Sequence, residues 1–347
     1  MIFPLLALSV ERERVCKGRK LATENDSTMA ADRTVSETMM NEYRKPPGPS
    51  DLQRRIRRLK ERAIVPYSFL LPFLIVYAIF LIFPIGQGLY VSLTDWDMMK
   101  PQKPFVGLDN FKFLFFRDSL FWPSVKATLW YLVLNVPAKI ALGLLLALAL
   151  NQRLRSTVVH RTAIFIPFVI NTAAIGLLWN WILDPQVGML NYYLGELGLP
   201  LQKWLVDPTW TMFAVVGVTI WWSIAFNTIV FLAGLQEIPE KFYEAAKIDG
   251  ANRWNCFWSI TLPCLMPTTM FVTIMQIIGS FQAFGNIYLL TWGGPVNATR
   301  VLMIHLYETG FSYFKMGPAS AIAVILFILV MVLTIIQLKF FRRRAEY

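Results

Sequence analysis

The chain has 347 residues and a formal net charge of +11, yet only 16% of its residues are charged while 56% are hydrophobic. A soluble domain carries about 25% charged residues, and soluble core helices do not sustain the ~20 apolar residues that ~30 Å of hydrocarbon demands. One large soluble core is excluded on run length, and the positive charge needs no nucleic acid to explain it once its distribution is followed along the chain.

Residues 1–63 read as a cytoplasmic, disordered tail, rich in Ser, Thr, Glu and Arg and interrupted by Pro46-Pro47-Gly48-Pro49. Its apolar start, Met1–Val10, has no basic segment before it and is too short to span, so it is not read as a signal peptide. The cluster Arg54-Arg55-Ile56-Arg57-Arg58 stops that end from crossing and touches anionic membrane lipid.

Six runs long enough to span follow: Val65–Leu93, Ala127–Leu150, Ala163–Leu183, Thr209–Leu232, Leu265–Leu290 and Ala319–Phe340, none of which contains Asp or Glu. Most of the 33 Lys and Arg residues fall in the N-terminal tail, Asn151–Arg161, Ala233–Thr261 and the tail after Leu338. Basic residues are retained on the cytoplasmic side. The expected protein is therefore multi-pass in a bacterial cytoplasmic (inner) membrane, with both termini cytoplasmic. Short loops predict one all-α helical bundle over 64–341, followed by a cytoplasmic tail at 342–347. Pro72, Pro84, Pro137 and Pro167 lie inside spans as kink positions. Cys16, Cys256 and Cys264 all lie toward the reducing cytoplasmic side, where disulfides are not expected.

Polar side chains inside the spans cluster. Phe168 and Asn171 follow Pro167; Thr219, Trp222, Ser223 and Asn227 recur at three- and four-residue steps; Gln276, Gly279, Ser280, Gln282 and Asn286 share about half a helix circumference. Against lipid such groups are costly and face the bundle. Each is read either as interhelical glue or as contact with a passing solute. Lys139 is the one basic residue well inside a span; at ~2.5–3.5 kcal/mol for a central cation, it must face a polar cavity or snorkel outward.

Catalytic chemistry is scarce. The chain has two histidines and no phosphate loop, zinc-protease helix or nucleophile elbow. His305 and Glu308, three residues apart, are read as ordinary polar residues of an outer-surface helix. No metal site, bound cofactor or active site is expected, and the chain is read as a carrier and not as an enzyme.

Between the fourth and fifth spans the residues 236–263 read QEIPEKFYEAAKIDGANRWNCFWSITLP. Pro239 suits the first position of a helix, and Glu240 complements its positive end. Gly250 comes where that helix stops. Trp254, Phe257 and Trp258 belong to a second helix, and Pro263 restarts the chain into the fifth span. Acids (Glu237, Glu240, Glu244, Asp249) balance bases (Lys241, Lys247, Arg253), whereas helices that lie on lipid carry a basic polar face. A protein socket fits this segment better.

Glu244-Ala245-Ala246, three residues, Gly250, nine residues, then Ile260-Thr261-Leu262-Pro263 resembles the EAA loop of binding-protein-dependent ABC importers. Asn286–Pro295 with Thr299 and Arg300, and Phe105–Phe111, resemble the carbohydrate-uptake branch of maltose- and glycerol-phosphate-permease-like subunits. The resemblance runs from about Tyr67 to the C-terminus. It implies a permease subunit whose coupling residues are Glu244, Ala245, Ala246, Asp249, Gly250 and Pro263. It further implies a cytoplasmic ABC ATPase dimer that uses ATP and Mg, a second permease subunit, an extracytoplasmic solute-binding protein and a carbohydrate substrate. The alternative is an ion-coupled secondary solute transporter, which usually needs carboxylates within its spans or paired broken helices, and often more spans.

Overall fold

The structure is a computed structural model that describes residue 67 and residues 69–152 and 157–345. The tail expected over 1–63, with its arginine cluster, lies outside those residues, as do 153–156 of the second basic loop. The chain divides into two compact units, Met1–Ile79 and Phe80–Tyr347. Helix α1 (Phe69–Ser92) starts in the first, and its residues from Phe80 onward belong to the second.

Among the described residues the second unit is helical, with two isolated antiparallel bridges at Thr94–Phe105 and Asp97–Lys315. After α1 come α2 (Asp109–Phe116), α3 (Phe121–Leu150), α4 (Thr157–Val169), α5 (Thr172–Ile182) and α6 (Met189–Glu196). Then follow α7 (Pro208–Gln236), α8 (Glu240–Ile248), α9 (Arg253–Cys264), α10 (Met266–Phe281), α11 (Gly285–Thr291), α12 (Leu302–Tyr307) and α13 (Met316–Ala345). Four helices, α1, α3, α7 and α13, are each long and apolar enough to cross a membrane. Two bent pairs, α4 with α5 and α9 with α10, bring the total to six when each pair is one span. The expected all-α membrane bundle is therefore the observed architecture.

Helices α3 and α7 form the spine, with the most extensive contact of any pair. Gly143 makes that approach possible, because a Cβ there would stand 2.7 Å from the Cβ of Asn227. One buried cluster joins Tyr131 of α3, Val215 and Val218 of α7, Ile175 of α5 and Ile287 of α11. A second joins Ala147 and Leu150 of α3 to Phe231 and Leu235 of α7 and Leu265 at the head of α10, with Tyr243 of α8 packed against it. Helix α13 packs on α10 and on the Phe83–Ser92 part of α1.

Physical reasons account for the local motifs. In the loop after α1, the Asn110 amide donates to the carbonyls of Ser92 and Thr94, both at 2.8 Å, and so fastens α2 back onto the helix end. After α11, Thr299 donates from its hydroxyl to the Gly294 carbonyl at 2.6 Å, and Arg300 pairs with Glu308. In the turn after α5, the backbone N–H groups of Val187 and Gln186 hold the Asp184 carboxyl below its ordinary pKa.

The run Leu265–Leu290 is not one helix, since α10 and α11 part at Gln282–Phe284 and put Gln276 and Asn286 on separate helices; four further expectations need correction. The run Ala163–Leu183 is not one kinked helix: α4 and α5 meet at 97°. Pro167 lacks the N–H that would bond back toward α4, and Asn171 caps the new helix by accepting from the Ala173 N–H at 2.8 Å. Pro263 does not restart the chain, since α9 runs through it to Cys264 and the 64° bend falls at Leu265. The cause is Pro267, in the first turn of α10, whose missing N–H frees a carbonyl of the preceding turn. Pro239 is the residue ahead of α8, extended at ψ 132°, and not its first helical residue.

His305 is the last correction. It is 3% exposed and no surface residue. Its Nε2 lies 2.8 Å from the Asp118 carboxylate, a partner 187 residues away.

Candidate functional site

Two places in the fold collect the candidate residues. The first is an open-sided cavity of about 310 Å³ lined by α3, α5, α7, α10 and α11, at the low end of the ~300–1,000 Å³ of small-molecule sites. Both helix interruptions that touch it are irregular backbone, which a membrane tolerates only where protein or a water-filled space surrounds it. One is the α4–α5 corner, whose freed Ile170 carbonyl accepts from the Trp222 indole N–H at 3.1 Å. The other is Gln282–Phe284, between α10 and α11.

Seven of the eleven residues singled out as clusters in the spans line this cavity: Thr219, Trp222, Ser223, Gln276, Gly279, Gln282 and Asn286. Ser280 and Asn227 stand behind the lining as connectors. The Asn135 amide donates to the Ser280 hydroxyl at 3.1 Å, and Ser280 donates to the Gln276 carbonyl at 2.7 Å. Asn227, fully buried, accepts from the Gln276 amide at 2.6 Å and donates to the Lys139 carbonyl at 3.2 Å. These bonds stitch α3, α7 and α10 together. Asn171 is spent on capping α5, and Phe168 is an exposed residue of α4 outside the lining.

The α3 side of the cavity is Tyr131, Asn135 and Lys139. Tyr131 and Asn135 were not among the candidates. The signal was present: the three stand four residues apart, so they form one stripe along the helix. Lys139 is 6% exposed and lines the cavity, so of the two alternatives for it the inward one is realised.

The second place is the segment 239–264. Helix α8 has Glu240 in its first turn and Lys247 in its last, each matched to the helix dipole. It ends in a Schellman turn. The Ala251 N–H donates to the Ala246 carbonyl at 2.8 Å and the Gly250 N–H to the Lys247 carbonyl at 3.1 Å, with Gly250 left-handed at φ 77°. Asn252 then caps α9 by accepting from the Asn255 N–H at 2.8 Å.

Glu244, Ala245, Asp249 and Gly250 are exposed, Ala246 is half-buried, and Pro263 sits on the exposed side of α9. No residue of α8 is buried. Tyr243 packs on the buried cluster of Phe231, Leu235 and Leu265, and its hydroxyl lies 2.9 Å from that of Thr261 in α9. Ile248 at 87% exposed and Trp254 at 67% leave apolar area uncovered on the same segment. A short, rigid, mixed-charge element held at one edge presents its other side outward.

Among the described residues no group of His, Cys, Asp or Glu could hold a metal ion. The arrangement offers a polar chamber inside a bundle and a short, exposed, mixed-charge helix joined to it.

Comparison with known proteins agrees with this anatomy. The family described as binding-protein-dependent transport system inner membrane component matches residues 139–346. The chain is 37% identical over 294 residues to the trehalose/maltose transport system permease protein MalF of Thermococcus litoralis, covering 83% of this chain and 98% of that one. It is 36% identical over 285 residues to the sn-glycerol-3-phosphate transport system permease protein UgpA of Agrobacterium fabrum, covering 82% and 97%. Among solved structures, it resembles a chain of the bacterial alginate ABC transporter in complex with an alginate pentasaccharide-bound periplasmic protein. That match has a TM-score of 0.74 and 26% identity, over 84% of this chain and 99% of that one.

Proposed function

The chain belongs to the family of binding-protein-dependent inner membrane components, a multi-pass, non-catalytic permease subunit of an ABC importer, and on that premise we propose that it forms half of a carbohydrate pathway. The similarity to permeases of trehalose/maltose, sn-glycerol-3-phosphate and alginate systems supports a saccharide or polyol as cargo. A chamber of amides, hydroxyls and the flat faces of Trp222 and Phe284 suits such a solute. A second permease subunit supplies the other half, and an extracytoplasmic solute-binding protein delivers the cargo. Both termini lie in the cytoplasm, following the distribution of Lys and Arg.

The observation that carries the coupling role is the outward-facing α8, rigidly capped at Gly250 and joined to the bundle through Tyr243 and Thr261. Glu244, Ala245, Ala246, Asp249, Gly250 and Pro263 form the contact with a cytoplasmic ATPase dimer, which binds ATP and Mg. Two small residues, Ala245 and Ala246, let a partner backbone come close, while Glu244 offers it a charge. The chain itself supplies no engine, so hydrolysis reaches the chamber as movement of this segment. No Asp or Glu lines the chamber, which speaks against proton coupling by an ion-driven carrier.

The test is co-purification of the chain with an ATPase, a second permease and a solute receptor, followed by ATP-driven uptake into proteoliposomes. Glu244→Ala should reduce coupled uptake about tenfold, equivalent to ~1.4 kcal/mol of docking free energy. Full uptake by that variant would remove Glu244 from the docking contact, and uptake against a gradient with no ATPase present would end the reading altogether.

A further inference from the structure

The chamber wall holds a lysine with no counter-charge beside it among the described residues. Lys139 is 6% exposed, lines the cavity, and makes no ion pair among the described residues. The surrounding helices α3, α5, α7, α10 and α11 contain no Asp or Glu. Burying a charge without a counter-charge is costly, and such residues within a membrane mark the path of a ligand or ion.

Two further groups in the lining are unfinished. Asn135 and Asn286 each keep a buried amide oxygen that accepts no hydrogen bond among the described residues. Buried polar atoms of that kind are few in native proteins and call for an explanation. Thr172, the first residue of α5, lies in the same lining, so the positive end of that helix's dipole sits at the chamber's edge.

We propose that the carbohydrate or polyol carried through this chamber bears an anionic group, a carboxylate or a phosphate, that Lys139 neutralises during passage. The proposal rests on the permease reading above and narrows its substrate class. A carboxylate inserted from the second permease would balance Lys139 but leave the amide oxygens of Asn135 and Asn286 without donors. A polyhydroxylated anion brings both the charge and the hydroxyl donors. Because the amide and hydroxyl neighbours are neutral, an anion entering here meets one full charge and no repulsion from this chain.

The experiment uses the assembled transporter with its receptor in proteoliposomes. The receptor is screened by thermal shift against neutral, carboxylate-bearing and phosphate-bearing saccharides and polyols, and uptake of the solutes it binds is then measured. The expected result is uptake of an anionic member, lost about tenfold or more in Lys139→Met and retained in Lys139→Arg. Lys139→Met keeps the side-chain length and removes the buried charge, so assembly should survive. Should that variant fail to co-purify, Asn286→Asp carries the same test, because a carboxylate in the lining should repel the solute and lower uptake.

Receptor and transporter that accept only neutral solutes would overturn the proposal. So would Lys139→Met, or in its stead Asn286→Asp, carrying the anion at the wild-type rate. ATP-driven uptake of a neutral solute defeats this inference alone; absence of any ATP-driven uptake defeats the permease reading with it.

Discussion

The indole N–H of Trp222, on α7, donates to the backbone carbonyl of Ile170 at 3.1 Å, across 52 residues of sequence. The fourth span thereby supplies the bond that the broken third span gave up at its 97° corner. A freed carbonyl inside a bilayer has no water to turn to, so one aromatic side chain both walls the chamber and holds its corner in shape.

Trp222→Phe keeps an aromatic face and removes the donor. We expect a loss of about 0.5–2 kcal/mol, the scale of interhelical hydrogen bonds in membranes. It should appear as a lower thermal midpoint of the purified complex, with uptake falling in parallel. A variant as stable as wild type would mean that the corner is held by other contacts.

The close approach of α3 and α7 at Gly143 makes a second expectation. Gly143→Val places side-chain atoms where the Cβ of Asn227 already stands, within 2.7 Å of the glycine's own Cβ position. Overpacking of this sort costs about 1–3 kcal/mol, and here it also displaces the bond that the Gln276 amide donates to Asn227. Gly217, on the same α7, has open space around it. Gly217→Ala should be neutral or stabilising by up to ~1 kcal/mol. Equal behaviour of the two variants in a detergent-stability assay would contradict the packing described.

The His305–Asp118 contact gives a third. His305→Ala leaves the Asp118 carboxylate, 12% exposed, without its partner. The expected cost is about 1–3 kcal/mol for a stranded buried polar group. An ordinary surface histidine would change stability by no more than about 0.5 kcal/mol. A double-mutant cycle with Asp118→Ala separates the cases, since coupling of about 0.5–3 kcal/mol is expected only for residues in contact.

Which parts of this were legible in the sequence follows from the range of each interaction. Run length located α1, α3, α7, α13 and the bent pair α4–α5 because hydrocarbon thickness acts on each one separately, but the run Leu265–Leu290 covers two helices, α10 and α11, that part at Gln282–Phe284. The turn at Gly250 was legible because a Schellman turn is made by six consecutive residues. Thr219, Trp222, Ser223, Gln276, Gln282 and Asn286 could be placed on inward faces because polar groups in lipid have few other choices. Asn227 and Ser280 share those faces yet bond to neighbouring helices, a distinction that depends on packing and not on periodicity. The corner at Ile170 had a local signature, Pro167 followed by the capping Asn171, but the apolar run continued across it and masked the break. Pro267 was overshadowed by Pro263 in the same way. His305 was misplaced because its partner lies 187 residues away, and no local pattern reports such a pairing.

Helix α10 begins at the single-residue bend of Leu265 and extends over 16 residues, about 24 Å at 1.5 Å per residue. It carries Gln276 and Gly279 on the chamber wall and is joined directly to α9. In the coupling role proposed above, handle and wall are two arms of one crank, with the fulcrum at a leucine buried to 0% exposure. Tilting the longer arm by roughly 10° carries its far end about 4 Å, comparable to the width of a sugar hydroxyl, with no intermediate helix needed to relay the stroke.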